Sequence, residues 1–265
     1  MTHQQALDKL AAQHLVQSID EDLARLTVYA MAVYKNEKPE SLAKKVLTPL
    51  LLRWNCVLEA GDESVTAIYR QKTILALAIL LHKYGFIHKA ITTKAIKAID
   101  DLNDGVVLSD DFFRKSKEIK TFISSAPEPL KRKPGMPDSI SFYRAKDVIA
   151  IQLDKKFYAA YIHRLARPNE SPVIEFYNGV FSQVPAMAEL QGLAAKGAKY
   201  NDGVERIEMY SVSGLKFLPD LANQVTLVSA CINEPPSNKQ LEKPVGLYTV
   251  SDIFDIQDTI KQLFP

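Results

Sequence analysis

The stretch that divides this chain is Pro127-Glu128-Pro129-Leu130-Lys131-Arg132-Lys133-Pro134-Gly135-Met136-Pro137-Asp138. It holds four of the 14 prolines, whereas residues 1–126 hold only two prolines and three of the 10 glycines. Proline lacks a backbone N–H and pushes the preceding residue toward extended geometry, so neither a helix nor a central strand continues through this stretch. We therefore predict a linker at 127–138 between a domain at 1–126 and a domain at 139–265.

The first domain is predicted to be all helical. Apolar side chains recur there every three or four residues, which is the period of an amphipathic helix. Serine and threonine can cap a helix, proline fits its first turn, and glycine fits the position after its last turn. The predicted helix starts are Ser18 with Glu21 as a capping box, Pro39, Glu63, Thr92 or Thr93, and Ser109; Gly85 is predicted to end the third helix, and Pro49 to bend or interrupt the second.

The second domain is predicted to be rich in β-structure. Short runs of β-branched and aromatic residues, bounded by turn residues, replace the helical period after residue 138. Strands are predicted at 148–151, 157–165, 173–177, 207–212 and 225–232, with a helix at 187–198 and a terminal helix capped by Ser251. The fold class expected is therefore α+β: an N-terminal all-α domain followed by a β-rich domain with an antiparallel sheet and a terminal helix.

Charge and composition exclude several function classes. The formal net charge of +2 divides into +1 over residues 1–130, +3 over 131–133 and −2 over 134–265. This excess is too small to predict nucleic acid or an anionic membrane as the main partner. The chain has two cysteines, no basic segment leading into an apolar run at its start, and no apolar stretch long enough to cross a bilayer. We therefore expect a cytoplasmic protein.

Motifs for chemistry are absent from the sequence. The five histidines do not form a zincin pattern, and there is no Cys-x-x-Cys pair. The acidic segment at 100–105 places Val106 where a calcium loop requires glycine, and the glycine-rich segment at 192–199 has Ala198 at the lysine position of a phosphate loop. We therefore predict no metal, no cofactor, no small-molecule substrate and no enzymatic activity.

One segment resembles a known family. Residues 145–162, Ala-Lys-Asp-Val-Ile-Ala-Ile-Gln-Leu-Asp-Lys-Lys-Phe-Tyr-Ala-Ala-Tyr-Ile, followed by Pro-Val-Ile-Glu-Phe-Tyr at 172–177, are similar to the opening strands of Imm26-type bacterial immunity proteins. Lys156 stands where that family has a turn glycine, and Ala145-Lys146 where glycine is common. The resemblance covers about residues 138–185 and does not extend to the helical domain.

The resemblance implies a protein that binds and neutralises a cognate bacterial toxin domain, as in contact-dependent growth inhibition. Such proteins often cover the toxin's active site, and many of the toxins are nucleases with basic clefts, which acidic side chains would complement. Tyrosines on strands open to solvent favour a binding surface. The residues expected to contact the toxin are Asp154, Tyr158, Tyr161, Glu170, Glu175, Tyr177 and Asp202.

Two alternative functions stay open at this point. One is a nucleic-acid-binding regulator that uses lysines of the helical domain, namely Lys44, Lys45, Lys94, Lys97, Lys115, Lys117 and Lys120. The other is a hydrolase built around His163, which lies on a predicted strand and would need a carboxylate beside it.

Overall fold

A computed structural model describes residues 1–34, 38–104 and 107–265. Gly105 and Val106, which bear on the excluded calcium loop, lie outside the described residues. The chain divides into two compact units, one formed by Met1–Leu51 and Val57–Pro137, the other by Leu52–Cys56 and Asp138–Pro265. The division after Pro137 falls inside the stretch from which the linker was predicted. The assignment of Leu52–Cys56 to the second unit has no counterpart in the sequence analysis.

The first unit is built from helices, as predicted. Their bounds are α1 (His3–Asp8), α2 (Gln13–Val33), α3 (Pro39–Leu58, whose residues 52–56 belong to the second unit), α4 (Ala67–Lys83), α5 (Lys89–Asp101) and α6 (Asp110–Ser124). Ten consecutive residues of α4, Thr73–His82, are buried. A helix that is buried all round lies at the centre of its domain, so α4 is the core element of this unit.

Some of the predicted helix starts are confirmed and others are wrong. Pro39 begins α3, and the Ser109 hydroxyl accepts a hydrogen bond from the Phe112 N–H at the start of α6. Ser18 instead lies buried inside α2, and α5 begins before Thr92 because His88 caps it through the Ile91 N–H. Serine and threonine also occur inside helices, so a capping pattern alone does not fix where a helix starts.

Pro49 was predicted to bend or interrupt a helix and Gly85 to end one, and only the prediction for Gly85 is confirmed. Pro49 lies within α3, which continues through it to Leu58, so it does not interrupt the helix. Gly85 follows α4 with a φ of +79°, and a Cβ atom there would lie 3.0 Å from the Glu128 carbonyl oxygen. Glycine is therefore required at this position both by the left-handed backbone and by the close approach of the chain.

A pair of histidines holds α1 in the first unit. His3 Nε2 lies 2.9 Å from His82 Nδ1, and His82 Nε2 lies 3.1 Å from the Ser125 hydroxyl. Both imidazole rings pack against Phe122. Burial lowers the pKa of both histidines, and the charges of His82 and Lys83 lower the pKa of His3 further. The folded chain therefore favours the neutral form of this pair.

We predict that the His3–His82 pair makes the folded protein less stable in acid. Because the pKa of both histidines is lower in the folded chain, the unfolded chain takes up protons that the folded chain excludes. The contribution of the pair to the free energy of unfolding is therefore present above the ordinary pKa of 6.5 and is lost as the pH falls through the folded-state pKa. We expect the free energy of unfolding of the double variant His3→Gln/His82→Gln, measured in urea, to depend less on pH in this range than that of the wild type. His14→Gln, an exposed substitution on α2, is the control and should leave the profile unchanged.

The second unit is a sheet with helices. Its elements are β1 (Val148–Leu153), β2 (Lys156–Arg167), β3 (Glu170–Phe176), α7 (Met187–Leu190), β4 (Ala198–Lys199), β5 (Glu205–Arg206), β6 (Tyr210–Ser213), β7 (Val225–Ser229), β8 (Thr249–Asp252) and α8 (Asp255–Leu263). Within 138–265, which the structure describes throughout, six strands form one sheet in the order β7-β1-β2-β3-β6-β8. The α+β class is confirmed. The sheet is antiparallel except for the parallel pair β6–β8.

Both faces of the central strands are covered. On one face, Tyr158 and Phe176 contact Phe264 at the end of α8, with ring centroids 5.0 and 6.1 Å apart. On the other face, Val148, Ala159, Tyr161, Tyr177 and Leu190 form a buried cluster. Burial on both sides explains why β1 and β2 consist mainly of apolar residues without strict polar alternation.

The second unit differs from the prediction near its C-terminus. The helix predicted at 187–198 is only the single turn Met187–Leu190. Ser251 lies in β8 and does not cap α8; the Asp252 carboxylate accepts hydrogen bonds from the N–H groups of Phe254 and Asp255 instead. Strand β8 is absent from the sequence prediction, which places the cap of the terminal helix at Ser251.

A buried ion pair ties Leu52–Cys56 into the second unit. The Arg53 guanidinium donates to both carboxylate oxygens of Asp220, at 2.7 and 3.0 Å, and to the Gln224 side-chain oxygen at 3.1 Å. Asp220 also accepts hydrogen bonds from three backbone N–H groups, those of Ala222, Gln224 and Val225. Both side chains are about 95% buried, so the pair satisfies charges that water does not reach.

Candidate partner-binding surface

Four of the seven predicted contact residues are buried. Tyr158, Tyr161 and Tyr177 are at most 6% exposed, and Glu175 is fully buried. The Tyr161 hydroxyl donates to the Ile232 carbonyl oxygen, so its polar end is already satisfied inside the unit. The expectation that these tyrosines lie on an open strand face is therefore wrong, because segments after β3 and helix α8 cover the two faces of the sheet.

Of the other three predicted residues, Asp154 and Asp202 are exposed on turns, and Glu170 is partly exposed at the start of β3. Asp154 occupies the β1–β2 turn, where it and Lys155 have φ values of +49° and +62°, the left-handed pair that a type I′ hairpin requires. Glu170 begins β3 at the other end of β2, about 40 Å away by the rise of a strand, and Asp202 lies between β4 and β5. The distance between Asp154 and Glu170 is too large for one compact contact patch.

A β-bulge brings His163 to the buried Glu175. Tyr161 pairs with Glu175 and Ile162 with Ile174, but the next pair is Arg164 with Val173, so His163 is the extra residue of β2. Its Nε2 lies 2.8 Å from Glu175 Oε2, and its ring contacts Tyr161 edge-on at 4.9 Å. Bulges commonly re-aim a side chain in this way.

The His163–Glu175 pair has the arrangement of a base held by a carboxylate, which the hydrolase alternative needs. The second carboxylate oxygen of Glu175 lies 3.5 Å from the Asn238 amide nitrogen. A hydrolase also needs a nucleophile within hydrogen-bond reach of the imidazole. The contacts of the described residues bring only Glu175 and Tyr161 to the His163 ring, and those residues contain no group of three or more histidine, cysteine, aspartate or glutamate side chains that could hold a metal ion.

Three of the seven lysines considered for nucleic-acid binding contact other side chains of the helical unit, whereas Lys94, Lys97 and Lys117 are exposed. Lys115 pairs with Glu118 at 2.8 Å, Lys120 with Asp100, and Lys45 lies over the Tyr34 ring. A groove of about 760 Å³ in this unit has a mainly apolar wall, in which the charges of Glu40 and Lys44 offset each other. The charge balance of this groove does not favour an anionic ligand such as nucleic acid.

An exposed apolar edge is the feature that the sequence analysis missed. Val245, Leu247 and Val250 are 72%, 80% and 80% exposed, the highest values among the large apolar side chains of the second unit. They lie in β8 and in the segment just before it, and Tyr248 in that segment carries the Arg164 guanidinium over its ring at 5.1 Å. We call Val245, Leu247 and Val250, together with strand β8, the apolar edge.

The apolar edge coincides with an open side of the sheet. Strand β8 is the last strand in the order and pairs with β6, and within 138–265 no strand pairs with its other side. Proteins usually protect such a side with charged residues or proline, because unpaired main-chain groups next to apolar side chains promote association. The exposed apolar side chains at this open edge therefore make it the candidate binding surface of the second unit.

Comparisons with known proteins give no family for the chain. No family model matches it, and neither a curated protein nor a solved structure matches it. None of the helices formed by residues 1–34, 38–104 and 107–265 combines the length and hydropathy needed to span a bilayer.

Proposed function

We propose that this chain is an immunity protein, which binds and neutralises a cognate bacterial toxin domain in the cytoplasm and has no catalytic turnover. The observation that carries the proposal is the apolar edge, where three large apolar side chains at least 72% exposed lie beside unpaired backbone. Exposed apolar clusters of this kind mark protein–protein contacts, whose energy concentrates in a few central side chains. The resemblance of residues 138–185 to immunity proteins supplies the class of partner.

The charges around the apolar edge support a basic partner. Asp252 and Asp255 lie two and five residues after Val250 in the sequence, and Glu208 accepts a hydrogen bond from the Thr249 hydroxyl. Acidic side chains around an apolar centre complement a cationic cleft and speed its encounter with the binding protein. A toxin nuclease presents such a cleft, because it must hold phosphates.

The test uses the full-length chain and the toxin C-terminal module encoded directly upstream, made inactive by substitution of its own active site. Co-purification and calorimetry should show tight binding, and co-expression should protect cells from the active module. Truncation near residue 130 is unsuitable, because it would remove Arg53 and leave Asp220 buried without its partner. Wild-type protein that neither binds nor protects would contradict the proposed function.

Leu247→Asp is expected to weaken this binding at least 100-fold. The substitution places a charge at the centre of the contact, and central apolar residues dominate the energy of an interface. Because Leu247 is 80% exposed, the fold should be unaffected. Ile68→Asp is the matched control: Ile68 is 59% exposed in the first turn of α4, and its replacement should change neither binding nor stability.

A further inference from the structure

The groove in the helical unit is lined by two helices and two connecting segments. Residues of α2 and α3 form most of its wall, and segments 84–88 and 129–130 complete it. Its volume of about 760 Å³ lies within the usual range for pockets that hold small organic molecules. All of these residues belong to the first unit. The groove therefore has the size and the apolar lining of a small-molecule site.

The backbone around Gly85 fixes one side of the groove. A Cβ atom at this position would lie 3.0 Å from both the Glu128 carbonyl oxygen and the Pro129 Cα atom. This close approach brings Pro129 and Leu130 to the end of α4, where both residues line the groove together with Phe86. Because backbone contacts set this side of the groove, a bound molecule is not needed to shape it.

Thr27 in the wall of the groove carries a hydroxyl that lacks a partner. Thr27 is 3% exposed, and none of the residues that the structure describes forms a hydrogen bond with its Oγ1. Threonine inside a helix can donate to the carbonyl oxygen four residues earlier, as Thr73 and Thr121 do at 2.8 and 3.0 Å. Buried polar groups are usually paired, because an unpaired one has lost water without compensation. The Thr27 hydroxyl is thus a donor for which the wall supplies no acceptor.

The charges of the wall do not favour a charged ligand. Glu40 and Lys44 are exposed, lie one turn apart on α3 and have opposite charges. The Tyr84 hydroxyl already donates to the Asp20 carbonyl oxygen at 3.2 Å. A charged group that entered the apolar part of the groove would lose its water without a matching counter-charge. The groove therefore favours an uncharged molecule.

We propose that the groove binds an uncharged, mainly apolar small molecule whose carbonyl oxygen accepts a hydrogen bond from the Thr27 hydroxyl. Threonine has two accessible rotamers in a helix, so rotation about χ1 presents this buried hydroxyl to a molecule in the groove. A recessed donor suits a compact molecule that fills the groove better than the flat surface of a protein. The groove lies in the helical unit and the apolar edge in the other, so the inference goes beyond toxin binding and does not depend on it.

The first test is a titration of the full-length protein with Nile red, an uncharged apolar dye that has a ring carbonyl and fluoresces more strongly in apolar surroundings. We expect one dye molecule to bind per chain. Ala43→Phe, at a half-buried position of α3 in the wall, should weaken binding roughly 10-fold or more, because the new ring and the dye cannot occupy the same space. Ala32→Phe is the matched control: Ala32 is exposed on α2 outside the wall, so its replacement should leave dye affinity and Tm unchanged.

Thr27→Val separates binding from stability. Valine has nearly the shape of threonine but no hydroxyl, so the dye carbonyl loses one hydrogen bond and dye affinity should fall about 3- to 10-fold. The Tm should stay the same or rise, because an unpaired buried hydroxyl is removed. Thr73→Val is the matched control: it removes the bond from Thr73 to the Tyr69 carbonyl oxygen outside the groove, so the Tm should fall while dye affinity stays unchanged.

The proposal is wrong if the wild type does not bind the dye, or if Ala43→Phe and the wild type bind it equally. It is also wrong if Leu247→Asp abolishes dye binding, because the dye would then occupy the apolar edge. A dimer that Ala43→Phe dissociates in sedimentation would contradict it as well, since the groove would be a contact between two copies of the chain. Equal dye affinity of the wild type and Thr27→Val would exclude the hydroxyl from the site. Should Ala43→Phe not fold, Thr27→Val alone decides the result.

Discussion

Asp220→Ala is expected to lower the free energy of unfolding by about 3–5 kcal/mol, the effect of removing one partner from a buried ion pair. The substitution leaves the Arg53 guanidinium buried without its carboxylate and deprives three backbone N–H groups of their acceptor. Neither loss can be repaired by water, because both side chains are about 95% buried. Urea unfolding followed by circular dichroism measures the change.

The matched control is an ion pair of the same chemistry at the surface. Arg206 contacts both carboxylate oxygens of Asp202, at 2.6 and 2.9 Å, and about half of the Asp202 side chain is exposed. Asp202→Ala should therefore cost less than about 1 kcal/mol. Similar losses for the two variants would mean that burial does not determine the contribution of the Arg53–Asp220 pair.

Phe176→Ala is expected to destabilise the second unit by about 3–5 kcal/mol, the usual cost of emptying a large aromatic site in a core. Phe176 is fully buried, and its ring centroid lies 6.1 Å from those of both Tyr210 and Phe264. Its loss removes one of the two aromatic contacts to Phe264 at the end of α8, the other being that of Tyr158. Calorimetric unfolding should show a lower Tm, and amides of α8 should exchange faster.

Phe142→Ala is the control for that experiment. Phe142 is 53% exposed and stacks on Phe217 at 6.2 Å, so most of its surface is already in contact with water. Its replacement should cost less than about 1 kcal/mol. A large loss at Phe142, or a negligible one at Phe176, would show that the aromatic contacts of α8 do not limit stability.

The fold class was predictable because the signals behind it are local. Helical periodicity before residue 127, the proline-rich stretch and the β-prone runs after it each depend on neighbouring residues only. Pro39 and Ser109 mark helix starts correctly for the same reason. Ser18 does not, because a serine inside a long helix and a serine before one share the same local pattern, and packing decides between them.

The contact surface was not predictable in the same way. Alternation along β2 shows that Tyr158 and Tyr161 face opposite sides of a sheet, but not that both sides are covered. Likewise, nothing local to Thr249–Asp252 shows that this strand ends the sheet, since strand order depends on distant segments. The pattern Val245, Leu247, Val250 after Pro244 is the signal that would have drawn attention to the edge.

The membership of Leu52–Cys56 in the second unit has a consequence for synthesis. Arg53 leaves the ribosome 167 residues before Asp220, which at 5–20 residues per second corresponds to roughly 10–30 s. During that interval the nascent chain carries a cation whose buried counterion does not yet exist. The sheet of the second unit is therefore expected to close only after Asp220 and β8 have been synthesised, so termination between the linker and Asp220 should yield a product that quality-control proteases recognise.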